Sequence, residues 1–558
     1  MSRDAPTGID GATAPAVLRL GRAPLVGRQR ELAALEQALA EARLGRPTLA
    51  LLAGEPGIGK SRLLEEFPPS GQSGDSIVLR GGATQSEGMP PYLPLLEALG
   101  EYIALAPPDD LRRGLGADAA VLARLLPEIA SRLRESFEPP HAIPPEQERL
   151  RLYEVVAGLL SHIAGARGSL ILALDDLQWA DAATCELLLY VMPRLAARAA
   201  PVLVVTACRD DETSENVPLE RLISELNRRR LLLHVTLRRL DSLESRQLAA
   251  ALLHGDLAED VSSIVHDQGE GNPFFEEELL RALVDERRLV YRDGRWHFDG
   301  VNHRVLPRGI IDAVRVRLAR LPAETVEALR VAAVVGRRHQ VRVVAAVLER
   351  DPEVVEDLVL AGVGAGFLRP DSDGGYAFVH DKVREAVLVE LGGERRRRLH
   401  LAIGNALQAE EVTPRLLPDL AYHFVQAGDR QRGVDYALAT GEAALTSYAA
   451  ADALRQFCAA LELLSNARDV PRRVGVLLRI GQAATHIGDY REAATRYQAA
   501  AAEATRQAKV ILLRARGTGS AACAGARRTS RERVLPSSGR SSSSDQERRA
   551  KWPRRCSN

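Results

Sequence analysis

A parallel α/β sheet followed by an all-helical half is the architecture that the sequence predicts, on three observations. Leu49 to Leu64 reads as strand, glycine-rich loop and helix. Short apolar runs recur near residues 48, 76, 169, 201 and 231, which gives a compact five-stranded parallel sheet with helices on both faces. From Glu394 to about Ala508 the pattern is helical throughout and rich in alanine.

The first run, Thr48 to Ala53, feeds the loop GEPGIGKS, Gly54 to Ser61, and Arg62 to Glu66 opens a helix. This is the G-x-x-x-x-G-K-[ST] signature of a P-loop nucleotide site between strand and helix. Backbone N–H groups can wrap a phosphate chain only where no Cβ obstructs them, hence Gly54, Gly57 and Gly59 among Glu55, Pro56 and Ile58. The helix that Arg62 begins adds free N–H groups and a positive dipole end. Lys60 then reaches the β and γ phosphates, and the Ser61 hydroxyl ligates Mg²⁺. The expected cofactors are ATP or ADP with Mg²⁺. The chain has only four lysines, which makes a chance match rare.

Ser76 to Arg80 reads as the second strand, and Leu93 to Ala166 as several proline-punctuated helices on one side of the sheet. The second strong stretch, SLILALDDLQWAD (Ser169 to Asp181), is a buried strand with two carboxylates at its C-terminal end. In an open α/β sheet that end faces the ligand. Asp175 is placed to hold Mg²⁺, directly or through water, and Asp176 to polarise the attacking water or sense the γ-phosphate. Pro201 to Ala207 is a further strand, ending in Cys208, Arg209, Asp210 and Asp211. Arg209 either reaches the γ-phosphate, the role called sensor 1, or pairs with Asp210 or Asp211. Leu231 to Leu237 completes the sheet.

Six segments follow from the pattern. Residues 1–24 form a disordered leader and 25–240 the P-loop domain. Residues 241–300 make a helical lid, 301–393 a winged-helix-like domain with a hairpin over Gly366 to Val379, and 394–510 helical repeats. Residues 511–558 are a basic tail. An earlier hairpin is expected over Leu289 to Phe298, turning at Asp293 and Gly294. Between Val341 and Gly362 acidic residues dominate, which argues against a DNA-recognition helix. Two windows fit the tetratricopeptide spacing of small and large residues: Gly441, Ala444, Ala453, Phe457 and Ala460, then Leu477, Ile480, Gly481, Gly488, Tyr490, Ala493, Tyr497 and Ala500.

Composition sets bounds. A chain of 558 residues is too long for one core. No apolar segment approaches the ~18 residues of a membrane span, and no secretory signal opens the chain. Five scattered cysteines argue against a zinc site or a disulfide framework and fit a reducing cytoplasm. From Arg514 onward twelve Lys and Arg stand against three Asp and Glu, so this stretch carries +9 and the rest of the chain −9. The repeats break off near residue 510, just after their best-formed unit. The expectation is that translation has left the ancestral frame there.

Residues 25 to about 508 resemble the large ATP-binding regulators of the LuxR family, within the STAND class of signalling ATPases. The matched stretches are LVGRQREL, GEPGIGKS, LDDLQWAD, the GNPFF turn at Gly271 to Phe275, Val379-His380-Asp381 and the repeats. The resemblance implies that Val26, Gly27 and Arg28 lie against the adenine and that Pro273 packs on it. It also implies that His380 touches the β-phosphate of ADP, although Val379 replaces the family's methionine. In that family ADP holds the switch closed. An inducer or protein at the repeats then allows ATP exchange and self-association, and a C-terminal helix-turn-helix acts on DNA. That module is not seen in this sequence, so no direct sequence-specific DNA binding is expected, and no membrane. Slow hydrolysis is expected, because no arginine finger is legible. The rival readings are a working ATPase enzyme and a repeat scaffold with structural nucleotide.

Overall fold

Strand register builds the α/β half. A computed structural model describes residues 24–67, 76–84, 89–135, 137, 144–210, 216–299, 310–371, 374–464 and 469–508. The expected leader and basic tail lie outside the described residues. Strands β1 (Thr48–Gly54), β2 (Ser76–Gly82), β3 (Ser169–Asp175), β4 (Val202–Arg209) and β5 (Leu232–Thr236) form one sheet in the order β2-β3-β4-β1-β5. Every neighbouring pair is parallel. This is the five-stranded P-loop NTPase fold that the sequence predicts.

A parallel sheet must bury both faces, and the side-chain alternation of these strands does so. Leu170, Leu172 and Leu174 join Leu49, Leu51, Val202 and Val204 on one face, under the helices of residues 93–166 and Ala182–Ala197. Ile171 and Ala173 join Ala50, Leu52, Leu203 and Val205 on the other, against Leu35 and Leu39 of the first helix and Leu63 and Phe67 beside the phosphate loop. The register places Gly54 beside Arg209, so the glycine loop, the two carboxylates and the arginine share one edge.

The stretch expected as a helical lid, residues 241–300, is not wholly helical. Its helices Ser242–Leu253, Glu259–Gly269 and Pro273–Asp285 are closed by a small sheet of β6 (Asp256–Leu257), β7 (Leu289–Arg292) and β8 (Arg295–Phe298), in the order β6-β8-β7. The Asp293-Gly294 turn has positive φ at both residues, which suits a tight hairpin. β6 is two residues long, too short for any periodicity to announce it.

The next body packs five helices, from Ile310–Leu318 to Asp381–Val389, around β9 (Arg338–His339), β10 (Leu368–Pro370) and β11 (Tyr376–Phe378). β11 pairs antiparallel with both neighbours, and Phe367 and Phe378 are fully buried in the core.

Helix pairs follow, and the expected small-to-large pairing explains their closeness. A Cβ on Gly441 would lie 2.3 Å from the Phe457 ring, and one on Gly481 would lie 2.6 Å from Tyr497. A third such contact, Gly404 against Phe424 at 2.8 Å, escaped the sequence reading because its partners are twenty residues apart rather than sixteen. Gly428 and Gly488 close helices in the left-handed conformation, and the aspartates after them, Asp429 and Asp489, cap the next helices. Met1–Ala500 forms one unit and Ala501–Asn558 a second, of which residues 501–508 are described and helical.

Gly441→Ala is expected to destabilise the protein by roughly 1–3 kcal/mol through overpacking against Phe457. Gly475→Ala, whose Cβ would meet only Arg479 at 3.6 Å, is expected to be neutral or stabilising. Urea unfolding of both variants checks the pair, and equal effects would contradict this account of the repeats.

Candidate nucleotide-binding site

The loop residues are held by their own backbone and by three neighbouring segments. Lys60 is buried and its ammonium donates to Gly54 O at 2.7 Å and Glu55 O at 2.9 Å. Burial lowers its pKa, helped by the nearby Arg209 charge and opposed by Asp176 and Asp175. Gly59 has φ +102°, and a Cβ built there would meet nothing within 4 Å. Open space at that point, with no side chain to fill it, is the cradle that a phosphate needs.

The two carboxylates differ. Asp175 accepts the N–H of Asp176 at 2.9 Å and has the Ser61 hydroxyl beside it. Burial, then the charge of Asp176, push its pKa up to about 6. Asp176 stands in the left-handed region at φ 54°, a strained position for a non-glycine residue. Its Oδ1 accepts from Gln178 Nε2 at 3.0 Å, and its Oδ2 is paired with Arg337. Among the described residues no cluster of three or more His, Cys, Asp or Glu stands ready to hold a metal. Mg²⁺ does not need one, because it binds through few protein oxygens plus phosphate and water. A hydroxyl beside a carboxylate, at Ser61 and Asp175, fits that donor set.

The N-terminal box ties the loop to the lid. Arg28 is buried and donates to Ile58 O and Arg238 O, each at 2.8 Å. Burial lowers its pKa, and Glu31 and Glu244 partly offset this. Gly27 has φ +70° and passes close to the Glu244 carboxylate, while Val26 packs against the lid core. Glu55 faces Arg239 at 2.9 Å, and Arg62 is engaged with Glu66 at 2.5 Å along its own helix.

The turn before Pro273 contacts the loop directly. Asn272 Nδ2 donates to Pro56 O at 3.0 Å, its Oδ1 caps the following helix at Phe275, and Phe274 N donates to Gly57 O at 3.3 Å. Sequence reasoning singled out Pro273 and missed Asn272 and Phe274, although an Asn before Pro at a helix start is a capping signal. The acidic residues of that helix are not all solvated: Glu276 is buried on Ser245 at 2.6 Å and is pushed up to about 7 by burial.

The third body closes the site. His380 stacks on Phe274 with ring centroids 4.2 Å apart. Burial, with the charges of Arg337 and Arg209, pushes its pKa down to about 3, so the imidazole is neutral. Its Nδ1 accepts from Lys382 N at 3.1 Å, which leaves the proton on Nε2 as a donor. Arg209 pairs with Asp381 at 2.9 Å rather than with Asp210, and its guanidinium lies 4.7 Å from the Trp179 ring. Asp211 lies outside the described residues.

The glycine loop and the carboxylate pair stand in one fold edge, and comparison with known families agrees on that stretch. Residues 24–205 match the family model of the AAA ATPase domain. The match ends inside β4, so Arg209, the Gly271 to Phe274 turn and His380 lie beyond the AAA ATPase stretch. No curated protein matches the chain. Among solved structures it is similar to a STAND protein with a tetratricopeptide repeat sensor from Pyrococcus horikoshii, at 14% identity over 89% of this chain and 79% of that chain, with a TM-score of 0.41. It is also similar to a Walker-type ATPase of Pyrococcus abyssi (17% identity, 65% of this chain, 96% of that chain, TM-score 0.32). A third is a RuvB of Thermotoga maritima (16% identity, 66% of this chain, 96% of that chain, TM-score 0.27). No described helix is long and apolar enough to cross a membrane.

The AAA ATPase stretch meets the repeats at a second acidic pair. Asp181, which ends the carboxylate stretch, caps the helix Ala182–Ala197 through Thr184 N at 2.8 Å and also accepts Tyr92 N at 3.2 Å. Asp452, on the repeat helix Ala450–Leu463, faces the N–H groups of Ala182 and Ala183 at the same helix start, and its Oδ1 accepts from Arg455. Burial and the facing Asp181 push Asp452 up to about 7, against the opposing charge of Arg455. The folded state therefore holds this proton more tightly than the unfolded chain. Its stabilisation is full below the unfolded pKa near 4 and is lost as pH rises to about 7. Asp452→Asn is expected to raise Tm at pH 8 and to lose that advantage toward pH 4. Thermal unfolding across this range checks it, and a pH-independent effect would contradict the assignment.

Proposed function

We propose that the chain is an ATP-dependent signalling switch of the STAND type, with nucleotide held at the glycine loop and the effector taken at the helical repeats. The observation that carries the reading is that three segments converge on the phosphate-loop edge of the sheet. The N-terminal box bonds Ile58, the lid turn bonds Pro56 and Gly57, and the third body brings His380, Asp381 and Arg337 against Asp176 and Arg209. An enzyme that turns over freely can close a mobile lid over its site, whereas here three segments far apart in the chain are bonded across it. A switch whose bodies must separate for exchange depends on such bonds.

In this reading the loop N–H groups and Lys60 hold the phosphates, and Ser61 and Asp175 hold Mg²⁺, which supplies charge neutralisation between the phosphate oxygens when bound. Asp176 orients the attacking water or senses the γ-phosphate, and Arg209 senses it from the β4 end. The neutral His380 offers Nε2–H to the β-phosphate. Val26, Gly27, Arg28 and Pro273 border the base. The bodies run as 25–240, 241–300, 301–393 and 394–510, the third being winged-helix-like.

The repeats are the part to which this reading gives the effector. Phe457, Val476 and Ile480 share one core with the sheet's helices. A cleft of about 650 Å³ opens at that seam, away from the phosphate loop, between Tyr190 and Arg221 on one side and Tyr448 and Ile487 on the other. The output is regulatory, through nucleotide-dependent self-association, and kinship with the LuxR-type regulators would make it transcriptional. Lys60→Ala is expected to keep its circular dichroism spectrum and to lose affinity for a fluorescent ATP analogue by roughly a hundredfold or more, since charge-assisted bonds to phosphate disappear. Unchanged affinity would remove the reading.

A further inference from the structure

Arg337 belongs to no motif in the sequence, yet its guanidinium reaches from the third body into the P-loop edge. It precedes β9, and its carbonyl accepts the N–H of Phe378 at 2.9 Å, two residues before His380. Arg337 and the His380-Asp381 pair therefore leave the same side of the small sheet. Its Nη1 is paired with Asp176 Oδ2, and its Nε lies 3.6 Å from Asp381 Oδ1. Asp381 Oδ2 in turn holds Arg209 Nη2 at 2.9 Å. The result is a row of alternating charges, Asp176, Arg337, Asp381 and Arg209. The outer two come from the P-loop domain and the inner two from the third body.

The geometry points to Arg337 as a latch that disarms Asp176 in the closed form. This rests on the nucleotide reading above. A carboxylate can orient water or feel a γ-phosphate only with a free lone pair and an uncompensated charge. Here each Asp176 oxygen already accepts one bond, from Gln178 and from Arg337, and the guanidinium compensates the carboxylate's charge. The latch is also buried: the Arg337 side chain is 17% exposed and that of Asp176 is 9%. Burial alone would lower the Arg337 pKa, but the charges of Asp381, Asp176 and Asp175 raise it above its ordinary value, so the cation stays charged and bound to its place.

The arrangement links catalysis to opening. Arg337 cannot leave Asp176 unless the third body moves, and the γ-phosphate of ATP adds negative charge beside Asp176 and Asp381 that favours this movement by repulsion. ADP has no such group and leaves the row intact. The arginine is thus a positioning residue whose release arms Asp176, which gives the closed form little hydrolysis and slow exchange.

The test compares wild type, Arg337→Ala, Arg337→Lys and Asp381→Asn for release of a fluorescent ADP analogue, affinity for the matching ATP analogue, and ATP turnover. Arg337→Ala is expected to release ADP at least about tenfold faster, a modest share of what removing one partner of a buried charge pair can do. Its ATP affinity is expected to hold within about threefold and its turnover to rise. Arg337→Lys is expected to restore slow release in part, and Asp381→Asn to shift it as Arg337→Ala does. Should Arg337→Ala fold poorly, Asp381→Asn carries the comparison alone. Loss of ATP affinity or turnover with unchanged ADP release would overturn the latch and make Arg337 a γ-phosphate ligand. An equal loss for both nucleotides would overturn it in favour of a purely structural role. Failure of the wild-type chain to bind either analogue would instead sink the nucleotide reading itself.

Discussion

Charge can be buried in a protein only when it is paired, and the enclosed edge of the sheet is governed by that constraint. Arg28, Lys60, Asp176 and Arg209 all sit with little access to water. Arg28 has Glu31 beside it on the first helix, but much of the remaining pairing crosses between elements. Arg28 spends its donors on the loop and the lid entry, and Asp176 and Arg209 use the third body. Separation of the bodies would expose or orphan these groups, so closure is electrostatically self-consistent and opening needs a substitute for each lost partner. A nucleotide carrying phosphate and Mg²⁺ is such a substitute, which is why occupancy and conformation are joined in this account.

The repeats couple to the same edge from the far side. The helix that follows the carboxylate stretch begins at Ala182, is capped by Asp181 of its own chain segment, and is faced at the same start by Asp452 of the repeats. Two carboxylates at one helix start are favoured by the dipole and opposed by their mutual repulsion. The seam is therefore held by a balance rather than by a large excess of attraction. An effector that shifts the repeat helix would reach the P-loop domain at the element directly after Asp175 and Asp176.

Much of this was legible in the sequence, and the part that was not has a physical reason. The five strands stand where apolar runs and turn residues place them, because both-face burial forces continuous hydrophobic runs. The glycine loop and the carboxylate pair were visible because phosphate chemistry restricts residue type at fixed spacing. The roles of Arg337, Asn272 and Phe274 were not, because they are set by contacts 161, 216 and 217 residues away along the chain, and the local capping signal at Asn272 says nothing of the loop it reaches. The Gly404 to Phe424 contact was hidden by a longer connection between its helices. The acidic helix start at Glu276 looked like solvated charge, whereas its carboxylate is buried on Ser245.

The most direct measurement is the distance between spin labels on exposed sites of the two bodies, at Leu44 and Val354, by double electron–electron resonance with MgADP and with a non-hydrolysable MgATP analogue. The account predicts one short, narrow distance distribution with ADP and a longer, broader one with the ATP analogue. Identical distributions in both states would contradict a nucleotide-gated switch and leave the enclosed loop as a structural site.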